Sequence, residues 1–216
     1  MEIAKRYSDR EELLNMISHI VGALLGLIIL IMCLMKTSAA ENVLGITSSI
    51  IYGLSVIVLY TCSAYYHGLK RISPKRVFRI FDHCSVYLLI AGTYTMVTLS
   101  GMVSDDPLYG WLIFGLVWGL AIIGIILNAI SIERFKIISM ILNLLIGWMA
   151  VFFFPFVIEA ISLTGFLLIL IGGLCYTLGA ILYGVGKVKP YFHFIFHIFC
   201  LLGTVVQFVG IYMYCI

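Results

Sequence analysis

Seven stretches of this chain run for about twenty residues or more almost without a charged side chain, and no other feature narrows its fold as far. A bilayer core about 30 Å thick is crossed by about 20 apolar residues of helix. The stretches are Leu13–Met35, Val43–His67, Asp82–Val103, Leu108–Ile132, Ile137–Ile158, Ser162–Val185 and Tyr191–Ile216. With 63% of its residues apolar, 11% charged and a mean hydropathy of +1.16, the chain lies outside the range of soluble domains, and little of it is left over to form one. The expectation is an all-α polytopic membrane protein: a single seven-transmembrane helix bundle over residues 1–216, with short loops and a short N-terminal segment, 1–12. The first apolar run is too long for the h-region of a secretory signal and reads as a retained first span.

Orientation follows from the basic residues. Of the 13 Lys and Arg side chains, Lys5, Arg6, Arg10, Lys70, Arg71, Lys75, Arg76, Arg79, Arg134, Lys136, Lys187 and Lys189 share one side. Only Lys36 lies on the other, near Glu41, Asp105, Asp106 and Glu159. Lys and Arg concentrate in cytoplasmic loops, so the N-terminus is expected to be cytoplasmic and the C-terminus outside. The net charge of +3 therefore records topology and not a surface for nucleic acid. The basic run in the loop Gly68–Phe81, which includes Pro74, suits anionic lipid headgroups at the cytoplasmic face.

Most polar residues inside the spans read as packing. The pairs Gly22/Gly26 and Gly115/Gly119 have the spacing that lets helix backbones approach closely in lipid. Pro155 is placed to kink the fifth span, and Asn128 and Asn143 read as helix contacts. The six cysteines (Cys33, Cys62, Cys84, Cys175, Cys200, Cys215) lie within spans, form no C-x-x-C pair and imply no disulfide. Glu12, Asn15 and His19, at offsets of three and seven, share one face of the first helix. Glu12 reads as a polar residue at headgroup level, and His19 as part of a structural polar network.

The remaining histidines point to chemistry. His193 and His197 stand four residues apart in an apolar run and share a helix face, with Cβ atoms about 5–6 Å apart. One zinc ion, which binds imidazole nitrogen at about 2.0–2.1 Å, reaches both. His67 ends a span running inward, Asp82 begins one running outward, and the pair begins the last outward span. All four side chains therefore lie near the cytoplasmic face at similar depth. One span more or fewer between them would put His67 on the opposite side. Unpartnered polar groups in a span are costly, and a shared metal site at His67, His193 and His197 accounts for three of them. Ser63, four residues before His67, faces the same way.

Taken in order, Glu12-x-x-Asn15-x-x-Ser18-His19, Ser63-x-x-x-His67, Phe81-Asp82-His83, Ala91-Gly92-Thr93-Tyr94-Thr95 and His193-x-x-x-His197 resemble the hemolysin III family of bacterial membrane proteins. These are relatives of the progestin and adiponectin Q receptors, in a broader group that includes alkaline ceramidases. The resemblance covers essentially the whole chain. It implies residence in the bacterial inner membrane and a Zn2+ ion held by His67, His193 and His197, with Asp82 and Ser63 close to a water on the metal. Three departures stand out. Met96 replaces a common proline after Thr95, so no prolyl kink is implied there; Phe196 replaces a common tryptophan; and Gln207 replaces a histidine, so that position supplies no ligand in the usual way.

Chemistry leads to a similar picture. Three protein ligands with an open position is the catalytic zinc pattern, whereas structural zinc is usually closed by four. Asp82 is then suited to orient a water and take its proton, and Ser63 to hydrogen-bond that water or a substrate carbonyl oxygen. His83, pointing about 100° away from Asp82, is assigned to helix packing or an interfacial hydrogen bond. The substrate class is a membrane lipid, with an amide or ester at headgroup depth and an acyl chain between helices. The alternative is a non-catalytic zinc-stabilised receptor or sensor of lipid state. A cytolytic pore-forming toxin is disfavoured, because the charge pattern describes a resident membrane protein.

Overall fold

The computed structural model describes residues 7–216, so Lys5 and Arg6 of the basic set lie outside the described residues. The described residues form α1 (Asp9–Ala39), α2 (Val43–Gly68), α3 (Ile72–Thr95) continuing as a π-helix over Met96–Met102, α4 (Pro107–Gly147), the short α5 (Met149–Phe152), α6 (Phe154–Val185) and α7 (Phe192–Tyr214), and no strand. Six helices among them are long and apolar enough to cross a membrane: α1, α2, α3 with its extension, α4, α6 and α7.

Helix starts follow local chemistry. Ser8 caps α1: its Oγ accepts from the Glu11 N–H at 3.2 Å, while the Glu11 carboxylate accepts from the Ser8 N–H at 3.3 Å. This reciprocal pairing satisfies two otherwise orphaned donors. Asp9, Glu11 and Glu12 also place negative charge at the positive end of the helix dipole. Asn42 caps α2 and Asp106 caps α4, where Pro107 occupies a first-turn position that needs no N–H donor.

The regions expected as the fourth, fifth and sixth spans are divided differently. Ser131 inside α4 is extended (φ −168°, ψ 110°), and Ser162 inside α6 has φ 64°, ψ 164°. Each serine Oγ accepts from the N–H three residues on, Arg134 at 3.2 Å and Gly165 at 3.4 Å. That is the arrangement of an N-cap, so a fresh helical segment begins after each serine. Residues 132–161 between them are interrupted again at Trp148 and Phe153. Pro155 sits in the first turn of α6, after the interruption at Phe153, and does not bend a continuous helix.

Two sequence expectations are corrected. The basic stretch expected as the loop Gly68–Phe81 is helical from Ile72. Pro74 falls in the first turn, where proline is tolerated, and the helix extends past the apolar region. Asp82 therefore lies about 15 Å along α3 from its start instead of opening it. Gly115 and Gly119 mark no close helix contact, because a Cβ at either would meet nothing within 4 Å. Gly22 and Gly26 do: a Cβ at Gly22 would lie 2.4 Å from the Tyr60 ring, and one at Gly26 3.0 Å from the Ile57 backbone nitrogen, so α1 packs closely on α2 at both.

Around the bundle α1 packs on α2, α2 on α3, α3 on α4, α6 on α7, and α7 on α1. Helix α3 with its extension is the most enclosed of the long helices, and α4 and α6 are the least. Tyr87, Ala91 and Met96 line its buried side, whereas Ile122, Ile126 and Ile130 of α4 are exposed along the lipid-facing surface. The start of α1, the end of α2 and the start of α7 meet at one end of the molecule, and there the histidines gather.

Candidate metal centre

His67 comes from the last turn of α2, and His193 and His197 from the first two turns of α7. All three are buried, and one nitrogen of each lies within 4.8 Å of the others. His193 Nε2 is 3.3 Å from His67 Nε2 and 3.1 Å from His197 Nε2. Two nitrogens bound to one tetrahedral ion at about 2.0–2.1 Å stand about 3.3 Å apart, so the spacing fits a shared zinc.

Hydrogen bonding on the far side of two rings makes the fit chemical as well as geometric. His67 Nδ1 is 2.6 Å from Glu12 Oε2, and the other oxygen of Glu12 accepts from Lys75 Nζ at 2.6 Å. A carboxylate anchored by an ammonium takes the imidazole N–H, which leaves the lone pair on Nε2. His197 Nδ1 donates to the Asn15 carbonyl at 3.3 Å and faces Ser18 Oγ at 3.2 Å, and that hydroxyl itself donates to the same carbonyl at 2.8 Å. Its lone pair is therefore also on Nε2. Two lone pairs converging on a third imidazole in a buried site suit a cation.

The first helix builds much of this surround. Tyr7 stacks on His193 with centroids 4.7 Å apart, and the Glu11 carboxylate accepts from the Tyr191 N–H, where the chain takes a left-handed turn (φ 63°) into α7. His19 stacks on His197 at 3.7 Å. Sequence reasoning placed Glu12 at the headgroup level and did not connect it to His67. Nor did it find Tyr7 or Glu11. The usable signal was Ser8-Asp-Arg-Glu11, a capping-box pattern that fixes where α1 begins and hence which way Glu12 points.

Beside the cluster is a cavity of about 280 Å³ lined by residues of α1, α2, α3, α4, α6 and α7. Its lining includes Ser63, Asp82, His193 and His197, and also Asn143, Trp148, Tyr176 and Gln207. Ser63 is buried one turn before His67, and Asp82 is half-buried. His83 lines the cavity too, and its backbone carbonyl accepts from Asn128 Nδ2 at 3.3 Å, while Asn128 Oδ1 accepts from Ser139 at 2.6 Å. Gln207 donates to the Ile169 carbonyl at 3.3 Å, a helix contact far from the histidines. The cavity walls are mainly apolar, which suits an acyl chain.

The comparisons with known proteins agree with this architecture. The family model described as "Haemolysin-III related" matches residues 7–208. Hemolysin-3 of Bacillus cereus is 34% identical over 208 residues, covering 95% of this chain and 92% of that one. The Hemolysin-3 homolog of Bacillus subtilis (strain 168) is 33% identical over 213 residues, covering 97% of each.

Proposed function

This multi-pass membrane chain belongs to the haemolysin-III-related family, and on that premise we propose that it holds a zinc ion between His67, His193 and His197 and hydrolyses an amide or ester of a membrane lipid. The observation that carries the reading is the convergence of three Nε2 atoms, two with their lone pairs assigned inward, beside an apolar cavity. When bound, zinc supplies Lewis acidity, which activates water near neutral pH. The chain's own residues do the rest. Asp82 accepts the proton of the attacking water and returns it to the leaving group. Ser63 hydrogen-bonds the acyl carbonyl oxygen. The cavity takes the acyl chain and excludes water, and Glu12 holds His67 in one tautomer.

The same reading includes seven spans, with the N-terminus cytoplasmic and the C-terminus outside. The serine-capped restarts at Ser131 and Ser162 support it, because they divide α4 to α6 into three segments. So does the placement of Lys and Arg, and the basic side then meets anionic lipid headgroups.

The second reading, a non-catalytic zinc-stabilised sensor of lipid state, is favoured by one observation: the cluster and its partners tie α1, α2 and α7 together. Lytic activity, suggested by the names of the relatives, is the least favoured. The protein exposes apolar side chains along its helices as a resident of the bilayer does.

The deciding experiment incubates purified protein with total membrane lipid and follows fatty acid by mass spectrometry. Hydrolysis predicts release that stops on chelation and in Asp82→Asn, which keeps its zinc. Unchanged lipid from a zinc-loaded protein selects the sensor.

A further inference from the structure

His19 occupies a costly position. It is only 4% exposed, yet among the described residues neither ring nitrogen has a hydrogen-bond partner. Its ring is stacked on His197 at 3.7 Å and edge-on to Tyr60 at 5.0 Å. A phenyl ring would make both contacts without stranding two polar atoms. Nor does His197 satisfy it: Nδ1 of that residue is engaged by Asn15 and Ser18, and its Nε2 faces His193. His19 is not one of the three converging ligands, but it does line the cavity together with Ser63 and Asp82. One turn earlier, the fully buried Asn15 likewise carries side-chain nitrogen and oxygen atoms without a partner.

We propose that His19 is a ligand-binding residue, whose imidazole hydrogen-bonds the polar head of the amphiphile in the cavity and selects heads that both donate and accept. A neutral imidazole offers one donor and one acceptor. A head with an N–H or O–H beside a carbonyl, such as a hydroxyl-bearing secondary amide, answers both. A simple ester only accepts and leaves one nitrogen of His19 buried and unpaired. A site built to hydrogen-bond a group discriminates strongly against the analogue that lacks it. This rests on the lipid reading above and narrows its substrate class.

The test measures equilibrium binding of radiolabelled N-palmitoylethanolamine and methyl palmitate to the full chain in nanodiscs, alongside zinc content and thermal midpoint. Wild type should prefer the amide by about tenfold or more. His19→Phe should abolish the preference while zinc content and midpoint stay unchanged, and His19→Gln, with a donor and an acceptor, should restore part of it. Should the phenyl ring not be accommodated, His19→Leu carries the same comparison. A preference that persists in His19→Phe overturns the proposal, as does loss of zinc in every His19 variant, which would make the residue part of the metal centre. Wild type that binds neither lipid overturns both this proposal and the lipid reading. Wild type that prefers the amide through His19 but binds no zinc supports the proposal and overturns the metal reading alone.

Discussion

The carboxylate of Glu12 decides which nitrogen of His67 is left to act, and Lys75 decides which way that carboxylate turns. In Glu12→Gln the amide would offer its oxygen to Lys75 and its NH2 to His67, pushing the imidazole proton toward the cluster. Zinc affinity, read by competition with a chelator, should fall about 10–100-fold. In His193→Ala or His197→Ala the metal should be lost nearly completely and the thermal midpoint should drop, since an ion that binds only the folded state stabilises it. Changes at Gln207 should leave metal content intact. The three histidines were legible in the sequence because helical spacing and span parity together bring His67 to the side of His193 and His197. Glu12 was not legible as their support. Its partner is 55 residues away, and the contact depends on how far α1 is rotated against α2, which hydropathy does not record.

At the scale of elements, the same spacing of two glycines has two outcomes. Gly22 lies under the Tyr60 ring, whereas Gly115 faces open space. Gly22→Ala should therefore cost about 1–3 kcal/mol of stability through overpacking, seen as a lower thermal midpoint. Gly115→Ala should be neutral or stabilising by up to about 1 kcal/mol, from helix propensity alone. Close packing needs a neighbour as well as a small residue, and the neighbour is a property of the fold. The early start of α3 was missed for a related reason: Lys75, Arg76 and Arg79 mark the limit of lipid, not the limit of backbone hydrogen bonding. The apolar cores of the helices were plain from composition. The breaks at Ser131 and Ser162 had a faint signal, a serine just ahead of a renewed helical run.

Across the whole molecule the orientation can be tested directly. A reporter active only in the cytoplasm should work when inserted at Lys70 and stay silent when fused after Ile216. The reverse pattern would turn the bundle over and put the histidines on the outer side. The cluster also has an order of events built into it. Its nitrogens come from residues 67, 193 and 197, and the ring environment from residues 7 to 19, so the site joins α1, made early, to α7, made late. A nascent chain halted before residue 193 has at most one histidine of the cluster and no site. Closure waits until α7 has been synthesised and laid against α1, with Tyr191 joined to Glu11. The histidine cluster thus marks a chain whose last helix has been laid against its first, and a copy halted before α7 cannot carry it.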